Sequence, residues 1–346
     1  MNSNFFVLAE GVLGLRANAE HFKWSYGIDA SPAKQKAYDQ CAVRLKLHIG
    51  DVAGIAPKNN LGKYHYFYGV PGADVLYYQR PFLLNTRLQL RIEGLLSDRP
   101  LLSVNKTYYR FITHRFMNLH SVGYILTDVA SLLLLRRGYA PLHCSAFRKG
   151  NSTVVVFAPP NTGKTLCTMM ACMKCEAEFL AEDIAITNGE VIYSVPWTNT
   201  FRYYSRIEKD FLSNIVNALT RIFPPLELLT IYKPKPISAY LDKEKLCSNS
   251  KITHLVILEC GNTLVQQETP KEAYRKILNL NRYEFNYHKA PLIVAYEFFN
   301  PSLNIAFACK TEQNILKKLA NNAHERLVVR TSDPSNYASL ILDAII

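Results

Sequence analysis

The stretch "TVVVFAPPNTGKTLCTMMAC", residues 153–172, decides how the rest of the sequence is interpreted. Three valines and a phenylalanine predict a buried strand, and the run after Lys164 has the composition of a helix. Between them, Ala158 and Gly163-Lys164-Thr165 follow the spacing of the phosphate-binding pattern G-x-x-x-x-G-K-[ST], with alanine at the first glycine. The sequence therefore predicts a strand, a phosphate-binding loop and a helix, in that order.

The chemistry of such a loop is compatible with the departures from the pattern. Alanine fits the first position wherever φ stays negative. Because the two prolines that follow lack an N–H, anion binding falls on the backbone amides from Asn161 to Thr165, at the predicted helix N-terminus. Lys164 would neutralise the β- and γ-phosphates of ATP, and the Thr165 hydroxyl would bind Mg²⁺. The predicted nucleotide-binding residues are Ala158, Asn161, Thr162, Gly163, Lys164 and Thr165.

Acidic residues follow the next apolar stretch, in "EFLAEDIAI". On an extended strand, the adjacent carboxylates of Glu182 and Asp183 would point to opposite sides. One could then bind the metal while the other accepts the proton of an attacking hydroxyl. The alternative interpretation is a solvated acidic turn. His143, in "PLHCSAF", lies one strand before the loop, where a single histidine is more often structural than catalytic.

The segment 123–196 resembles the HPr kinase/phosphorylase group, which are P-loop phosphotransferases distantly related to phosphoenolpyruvate carboxykinase. The resemblance rests on a helix before "LH", on "APPNTGKT", on the strand ending "AED" and on "VIYSVP". It implies that Glu182 is the general base toward a serine hydroxyl and that Asp183 helps to hold magnesium. It also places His143 near the catalytic carboxylate. We expect the catalytic residues to be Glu182, His143 and Lys164, with Thr165 and Asp183 as metal ligands.

The sequence departs from this family in three respects, of which one is a loop less glycine-rich than in the bacterial regulatory enzymes. The first acid is Glu182 where the family has aspartate. The family's glycine-rich segment, which carries a further glutamate and an arginine, has no clean counterpart in "SVPWTNTFRYYSRIEKD", where Arg202 and Arg206 could supply positive charge. These departures argue against HPr as substrate and against the reverse phosphorylase reaction. The chain resembles diverged members, some of which phosphorylate a serine of a precursor peptide in natural-product pathways.

The expected function is therefore ATP-dependent transfer of the γ-phosphoryl group to a hydroxyl, a serine of a peptide or protein. Two alternatives stay open: a kinase of a small hydroxylated metabolite, and a regulatory protein that binds ATP without transferring it. The net charge of +12 favours anionic partners. We expect no nucleic-acid partner, because the aromatic and basic stretches match no RNA-binding signature. The sequence is compatible with a homo-oligomer but identifies no interface.

The predicted fold class is α/β. Residues 1–110 read as a smaller β-rich N-terminal domain, with period-two alternation in "CAVRLKLHIG" and "TRLQLRIEGLL". Residues 111–346 read as a P-loop, HPr-kinase-like domain with a mixed sheet and helices, beginning with one long helix over 113–137. The basic loop "YKPKPIS", residues 232–238, is either a solvated connector or a flap over the phosphates.

The cysteines and the lengths of the apolar runs indicate the cellular compartment in which the protein is expected. Eight cysteines without a framework are typical of reduced thiols in the cytosol. Cys172 and Cys175 form a C-x-x-C without a second pair, so core packing is the better interpretation. No basic segment precedes the first apolar run, and no run is long enough to span a bilayer. We therefore expect a cytoplasmic protein without a membrane span.

Overall fold

A computed structural model describes residues 3–22, 30–52, 61–82, 85–97, 99–113, 120–196 and 237–345. Arg202, Arg206 and most of the basic loop 232–238 lie outside these residues. The described strands form three sheets, with helices packed against them, so the fold is mixed α/β as predicted.

The first sheet is formed by residues 4–104. Its nine strands have the spatial order β3-β1-β2-β4-β9-β8-β7-β6-β5. They are β1 (Asn4–Ala9), β2 (Leu13–Ala17), β3 (Pro32–Ala33), β4 (Val43–Ile49), β5 (Gly62–Tyr64), β6 (Phe67–Gly69), β7 (Val75–Pro81), β8 (Arg87–Glu93) and β9 (Leu101–Val104). Burial alternates along β4 and β8, which confirms the period-two pattern in these two segments. Two short helices accompany the sheet, α1 (Gln35–Asp39) and α2 (Lys106–Phe111).

The long apolar helix is α3 (Val122–Arg136). The predicted helix began at residue 113, but residues 114–119 lie outside the described part of the chain. Most of its residues are buried, and one continuous hydrophobic cluster joins it to the nine-stranded sheet and to later helices. The division of the chain at residue 110 therefore stays a prediction, because this shared cluster marks no boundary.

The rest of the chain supplies two further sheets. One has four strands in the order β10-β14-β15-β16, and the other has six in the order β13-β11-β12-β17-β19-β18. The strands are β10 (Ala140–His143), β11 (Ser145–Lys149), β12 (Ser152–Phe157), β13 (Glu178–Ala181), β14 (Ile184–Thr187), β15 (Val191–Ser194), β16 (Asn249–Lys251), β17 (His254–Cys260), β18 (Leu264–Gln267) and β19 (Glu325–Thr331). The helices are α4 (Lys164–Lys174), α5 (Pro270–Glu284), α6 (Pro291–Phe299), α7 (Ile305–Asn322) and α8 (Tyr337–Ile345). Short 3₁₀ turns cover Ile237–Ala239, Lys243–Lys245, Tyr287–Lys289, Pro301–Leu303 and Pro334–Asn336.

The stretch "LHCSAF", residues 142–147, is apolar enough to read as one strand, and the structure divides it between β10 and β11. The chain leaves the four-stranded sheet after His143 and enters the six-stranded sheet at Ser145. Every residue of this stretch is buried, so its hydrophobicity gives no sign of the change of sheet.

Three parallel strands fix the edge at which a ligand would bind. β12 pairs in parallel with β17, and β17 pairs in parallel with β19, so their carboxyl ends meet at one edge of the sheet. β13 runs in the same direction as β12, because both are antiparallel to β11 between them. The predicted strand–loop–helix–strand unit is therefore present, with its loop at the edge where α/β sheets bind ligands.

Within the described ranges, no single helix combines the length and the apolar character needed to cross a bilayer. One sharply bent pair, Pro291–Phe299 with Pro301–Asn322, meets that test by length and composition alone.

Candidate functional site

The loop after β12 places several backbone amides, which have no acceptor within the helix, at the start of α4. The first intrahelical bond of α4 runs from the Cys167 N–H to the Gly163 carbonyl, 2.8 Å. The amides of Gly163, Lys164 and Thr165 precede that bond and so have no acceptor within the helix. The Thr162 N–H instead donates to the Pro159 carbonyl, 3.3 Å. The Thr162 amide thus closes a turn within the loop, and the predicted donor set stays a prediction.

Gly163 is required at its position by conformation and by space. Its φ is +112°, a region that residues with a Cβ rarely adopt. A Cβ there would also lie 2.9 Å from Cβ of Pro334. Pro334 belongs to the 3₁₀ turn after β19, a contact that the sequence analysis missed. The Asp-Pro dipeptide after "LVVRTS" marks a turn, but no local signal says that this turn meets the loop.

Lys164 is buried at the first position of α4, with an exposed fraction of 9%. Among the residues that the structure describes, its Nζ has no hydrogen-bond partner. Burial lowers the pKa of this ammonium group, and the nearby carboxylates of Asp183 and Glu182 oppose that shift. A buried charge is costly unless an opposite charge compensates it. The side chain is therefore placed where an anion would satisfy it.

The acidic pair lies in a tight turn, which corrects the predicted geometry. β13 ends at Ala181, and the Ile184 N–H donates to the Glu182 carbonyl, 2.9 Å, across Asp183. Asp183 has a φ of +70°, so the chain reverses there instead of running as an extended strand. Glu182 is buried, with 4% exposed, while the Asp183 side chain is 45% exposed. A turn with a positive φ at a non-glycine residue costs about 1–3 kcal/mol, and such residues cluster at functional sites.

His143 ends β10 and lies beside the acidic turn. The pairing of β10 with β14 places His143 opposite Ile184. His143 Nε2 lies 3.3 Å from Asp183 Oδ1. The structure therefore brings the histidine against Asp183, the predicted metal ligand, whereas the resemblance placed it near the catalytic carboxylate, assigned to Glu182.

Cys144 is a neighbour of the site that the sequence analysis did not identify. Burial raises the pKa of its thiol to about 12, with Lys164 opposing and Asp183 adding to the shift. The thiol therefore stays protonated near neutral pH and contributes no negative charge beside Lys164.

The residues present fit ATP and Mg²⁺. Free amides at a helix N-terminus and a buried ammonium group without a partner are suited to a polyphosphate. Thr165, half-buried in the first turn, and the partly exposed Asp183 offer oxygen ligands for magnesium. In the described part of the chain, no group of three or more His, Cys, Asp or Glu is arranged to hold a metal. Magnesium that binds with a nucleotide needs only one or two protein oxygens, because phosphates and water complete its shell.

Other features of the described residues lie apart from this chemistry. Cys172 is fully buried in α4 and its pKa is raised to about 12 by burial, which fits the predicted core role of the C-x-x-C. A small, partly open cavity of about 20 Å³ lies between the nine-stranded sheet, α3 and α6 and has room for about one water molecule. It is lined by Phe67, Tyr78, Leu90, Tyr108, His120, Ile125, Asp128, Pro291 and Leu292.

No protein-family model and no curated protein matches the chain. Among solved structures, it is similar to the Hpr(Ser) kinase/phosphatase from Coxiella burnetii, at 10% sequence identity. That match covers 37% of this chain and 76% of the other, with a TM-score of 0.24. Because a TM-score this low carries no argument, a functional assignment has to rest on the geometry of the loop and the acidic turn.

Proposed function

We propose that the protein is an ATP-dependent phosphotransferase that transfers the γ-phosphoryl group to a hydroxyl, a serine of a peptide or protein. One observation carries the proposal: a buried ammonium group, Lys164 Nζ, without a hydrogen-bond partner among the described residues, in the first turn of α4. A polyphosphate would supply the missing negative charge and would accept hydrogen bonds from the loop amides.

Each residue of the site has a role in this proposal. The amides of Gly163 and Thr165 and the Lys164 ammonium would bind the β- and γ-phosphates. Thr165 and Asp183 would hold Mg²⁺, which neutralises charge on the transferring group when it is bound. His143, 3.3 Å from Asp183, would orient that carboxylate.

The transfer itself requires one proton acceptor. The acceptor oxygen forms a bond to the γ-phosphorus, the bond to the β,γ-bridging oxygen breaks, and ADP leaves. Glu182 takes the proton of the attacking hydroxyl. Glu182 is buried near Lys164 and next to Asp183, the proposed metal ligand, which supports this role. Positioning and charge neutralisation provide most of the acceleration in phosphoryl transfer.

The acceptor class follows from the resemblance to diverged peptide-modifying kinases. A small hydroxylated metabolite is the alternative acceptor, and a regulatory protein that binds ATP without transfer is the alternative function. Incubation with γ-labelled ATP and Mg²⁺, with serine peptides and hydroxylated metabolites as separate pools, distinguishes the three.

Binding and transfer are tested by separate variants. Lys164→Met should weaken ATP binding by about 10- to 100-fold in calorimetry, because one charge-assisted contact contributes about 1.5–3 kcal/mol. Lys174→Met, at the exposed end of the same helix, is the matched control and should bind ATP like the wild type. Glu182→Gln should keep ATP affinity and lose transfer by at least about 100-fold.

The outcomes separate the hypotheses. A Lys164→Met protein that binds ATP as tightly as the wild type would refute the nucleotide site. Full transfer by Glu182→Gln would refute the assigned base. Tight ATP binding by the wild type with no transfer to any pool would favour the regulatory protein.

A further inference from the structure

β10 is an edge strand, and one side chain pairs with its free edge. Among the described strands, β10 pairs only with β14. Its outer edge carries the Pro141 carbonyl and the His143 N–H, and Pro141 has no N–H that would need an acceptor. Asn281 on α5 satisfies both groups. The His143 N–H donates to Asn281 Oδ1, 3.1 Å, and Asn281 Nδ2 donates to the Pro141 carbonyl, 3.2 Å. The amide side chain therefore takes the place of a neighbouring strand.

Two further buried side chains fix the orientation of that amide. Asn281 Nδ2 also donates to Glu312 Oε1 on α7, 2.7 Å, and the Tyr287 hydroxyl donates to Glu312 Oε2, 3.1 Å. Asn281 and Tyr287 are fully buried, and Glu312 is 2% exposed. Every polar atom of the three side chains has a partner. The oxygen of Asn281 therefore has to face His143, because its nitrogen is held by two acceptors.

We infer that Asn281 is a positioning residue for His143 in phosphoryl transfer, supported by Glu312 and Tyr287; this inference rests on the proposed function. The 3.3 Å approach of His143 Nε2 to Asp183 depends on where the end of β10 lies. β14 fixes one side of that strand and the Asn281 amide fixes the other, at the backbone of His143 itself. Displacement of reacting groups by about 1 Å can cost as much as 100-fold in rate.

The test is a double-mutant cycle on the full chain. Asn281→Ala should lower kcat for phosphoryl transfer about tenfold and leave KM for ATP within about twofold, because the phosphate-binding loop makes no use of this amide. In a His143→Ala background, the same substitution should change kcat less than about twofold. Asn279→Ala, exposed on the same helix, is the matched control and should leave both constants unchanged.

Asn281→Ala leaves buried groups unsatisfied, so a milder variant accompanies it. Tyr287→Phe removes one hydroxyl and keeps the ring, and we expect a loss in kcat of about threefold that also disappears in the His143→Ala background. Glu312→Gln keeps an oxygen for Asn281 Nδ2 and should retain more activity than Glu312→Leu. A loss in kcat of the same size with and without His143 would overturn the inference, because it would show a general effect on the fold.

A second readout needs no activity. In ¹⁵N-labelled protein without nucleotide, the ring resonances of His143, assigned by their loss in His143→Ala, should shift in Asn281→Ala. Those of His254, on β17, should stay in place. Unchanged His143 resonances would overturn the positioning role. If the wild type transfers no phosphate, the proposed function fails, and this readout still decides whether Asn281 positions the ring.

Discussion

Two buried polar regions of this protein differ in whether their polar side-chain atoms have hydrogen-bond partners. At the loop, the buried Lys164 Nζ has no hydrogen-bond partner among the described residues, and the same is true of Thr168 Oγ1 on α4 and Ser145 Oγ on β11. In the cluster of Asn281, Glu312 and Tyr287, every polar side-chain atom has one. Folded proteins pair nearly all buried polar groups, so an unpaired set needs a separate explanation. The comparison supports the proposal that the first region binds a ligand and the second supports the site.

Removal of a polar group should have opposite effects on stability in the two regions. Removal of an unpaired buried charge should stabilise the protein, because the charge costs more without its ligand than it contributes. Removal of one member of a fully paired cluster should destabilise it, because the remaining groups lose their partners.

The largest effect is expected from Asn281→Ala. It leaves the His143 N–H, the Pro141 carbonyl and the Glu312 carboxyl without this partner in a buried environment. Loss of one member of a buried charged network costs about 3–5 kcal/mol, so we expect the free energy of unfolding to fall by about 3 kcal/mol. Urea denaturation measures the change. A loss below about 0.5 kcal/mol, no larger than that of Asn279→Ala, would show that the cluster contributes little.

Gly163→Ala tests whether the loop is held in a shape that serves the ligand. The positive φ and the 2.9 Å approach to Pro334 should together cost about 2 kcal/mol. Gly150→Ala is the matched control, since Gly150 has a φ of +58° but no atom within 4 Å of the added Cβ. Only Gly163→Ala should also weaken ATP binding in calorimetry. Equal stability losses and equal ATP affinities in the two variants would contradict this account.

Local patterns predicted much of the region around the loop. The strand before it, α4 and β13 follow from apolar runs and from the spacing of Gly163-Lys164-Thr165. The preferred prediction of an extended strand through Glu182 and Asp183 was wrong, because a positive φ leaves no periodic signal, and only the alternative interpretation placed a turn there. Aspartate is among the few residues that tolerate such a φ, which gives a weak hint.

The supporting cluster had no sequence signal at all. Asn281 lies 138 positions after His143 and 31 positions before Glu312. An asparagine within an amphipathic helix reads as a surface residue, and only the packing of α5 against β10 and α7 makes it a strand partner. The groups proposed to contact phosphate are local in sequence, whereas the groups that hold His143 are distant. This is why a motif predicts the first set and not the second.

Lys164→Met tests the opposite prediction, that removal of an unpaired buried charge raises the free energy of unfolding. Without nucleotide, we expect the free energy of unfolding to rise by about 1–2 kcal/mol at neutral pH. The folded-state pKa of Lys164 is lowered below 10.5, so its destabilising effect is full below the folded pKa and is lost as the pH rises toward 10.5. The gain in Lys164→Met should therefore shrink as the pH rises from the folded pKa toward 10.5. Denaturation at several pH values checks this, with Lys174→Met as control; a destabilised Lys164→Met protein at pH 7 would contradict it.

Glu312→Gln is expected to give the smallest effect. It separates the contribution of charge to stability from that of hydrogen bonding in the cluster of Asn281, Glu312 and Tyr287. Burial raises the folded-state pKa of Glu312 above 4.5, and the hydrogen bonds from Asn281 and Tyr287 oppose the shift. The charged carboxylate thus costs stability above the folded pKa, and that cost is absent below pH 4.5. The stability of Glu312→Gln relative to the wild type should rise with pH across this window, by on the order of 1 kcal/mol. Glu244→Gln, at an exposed site, should show no such slope. A flat difference would mean that the Asn281 and Tyr287 bonds fully compensate the buried charge, and the two polar regions would then differ in partner number but not in electrostatic cost.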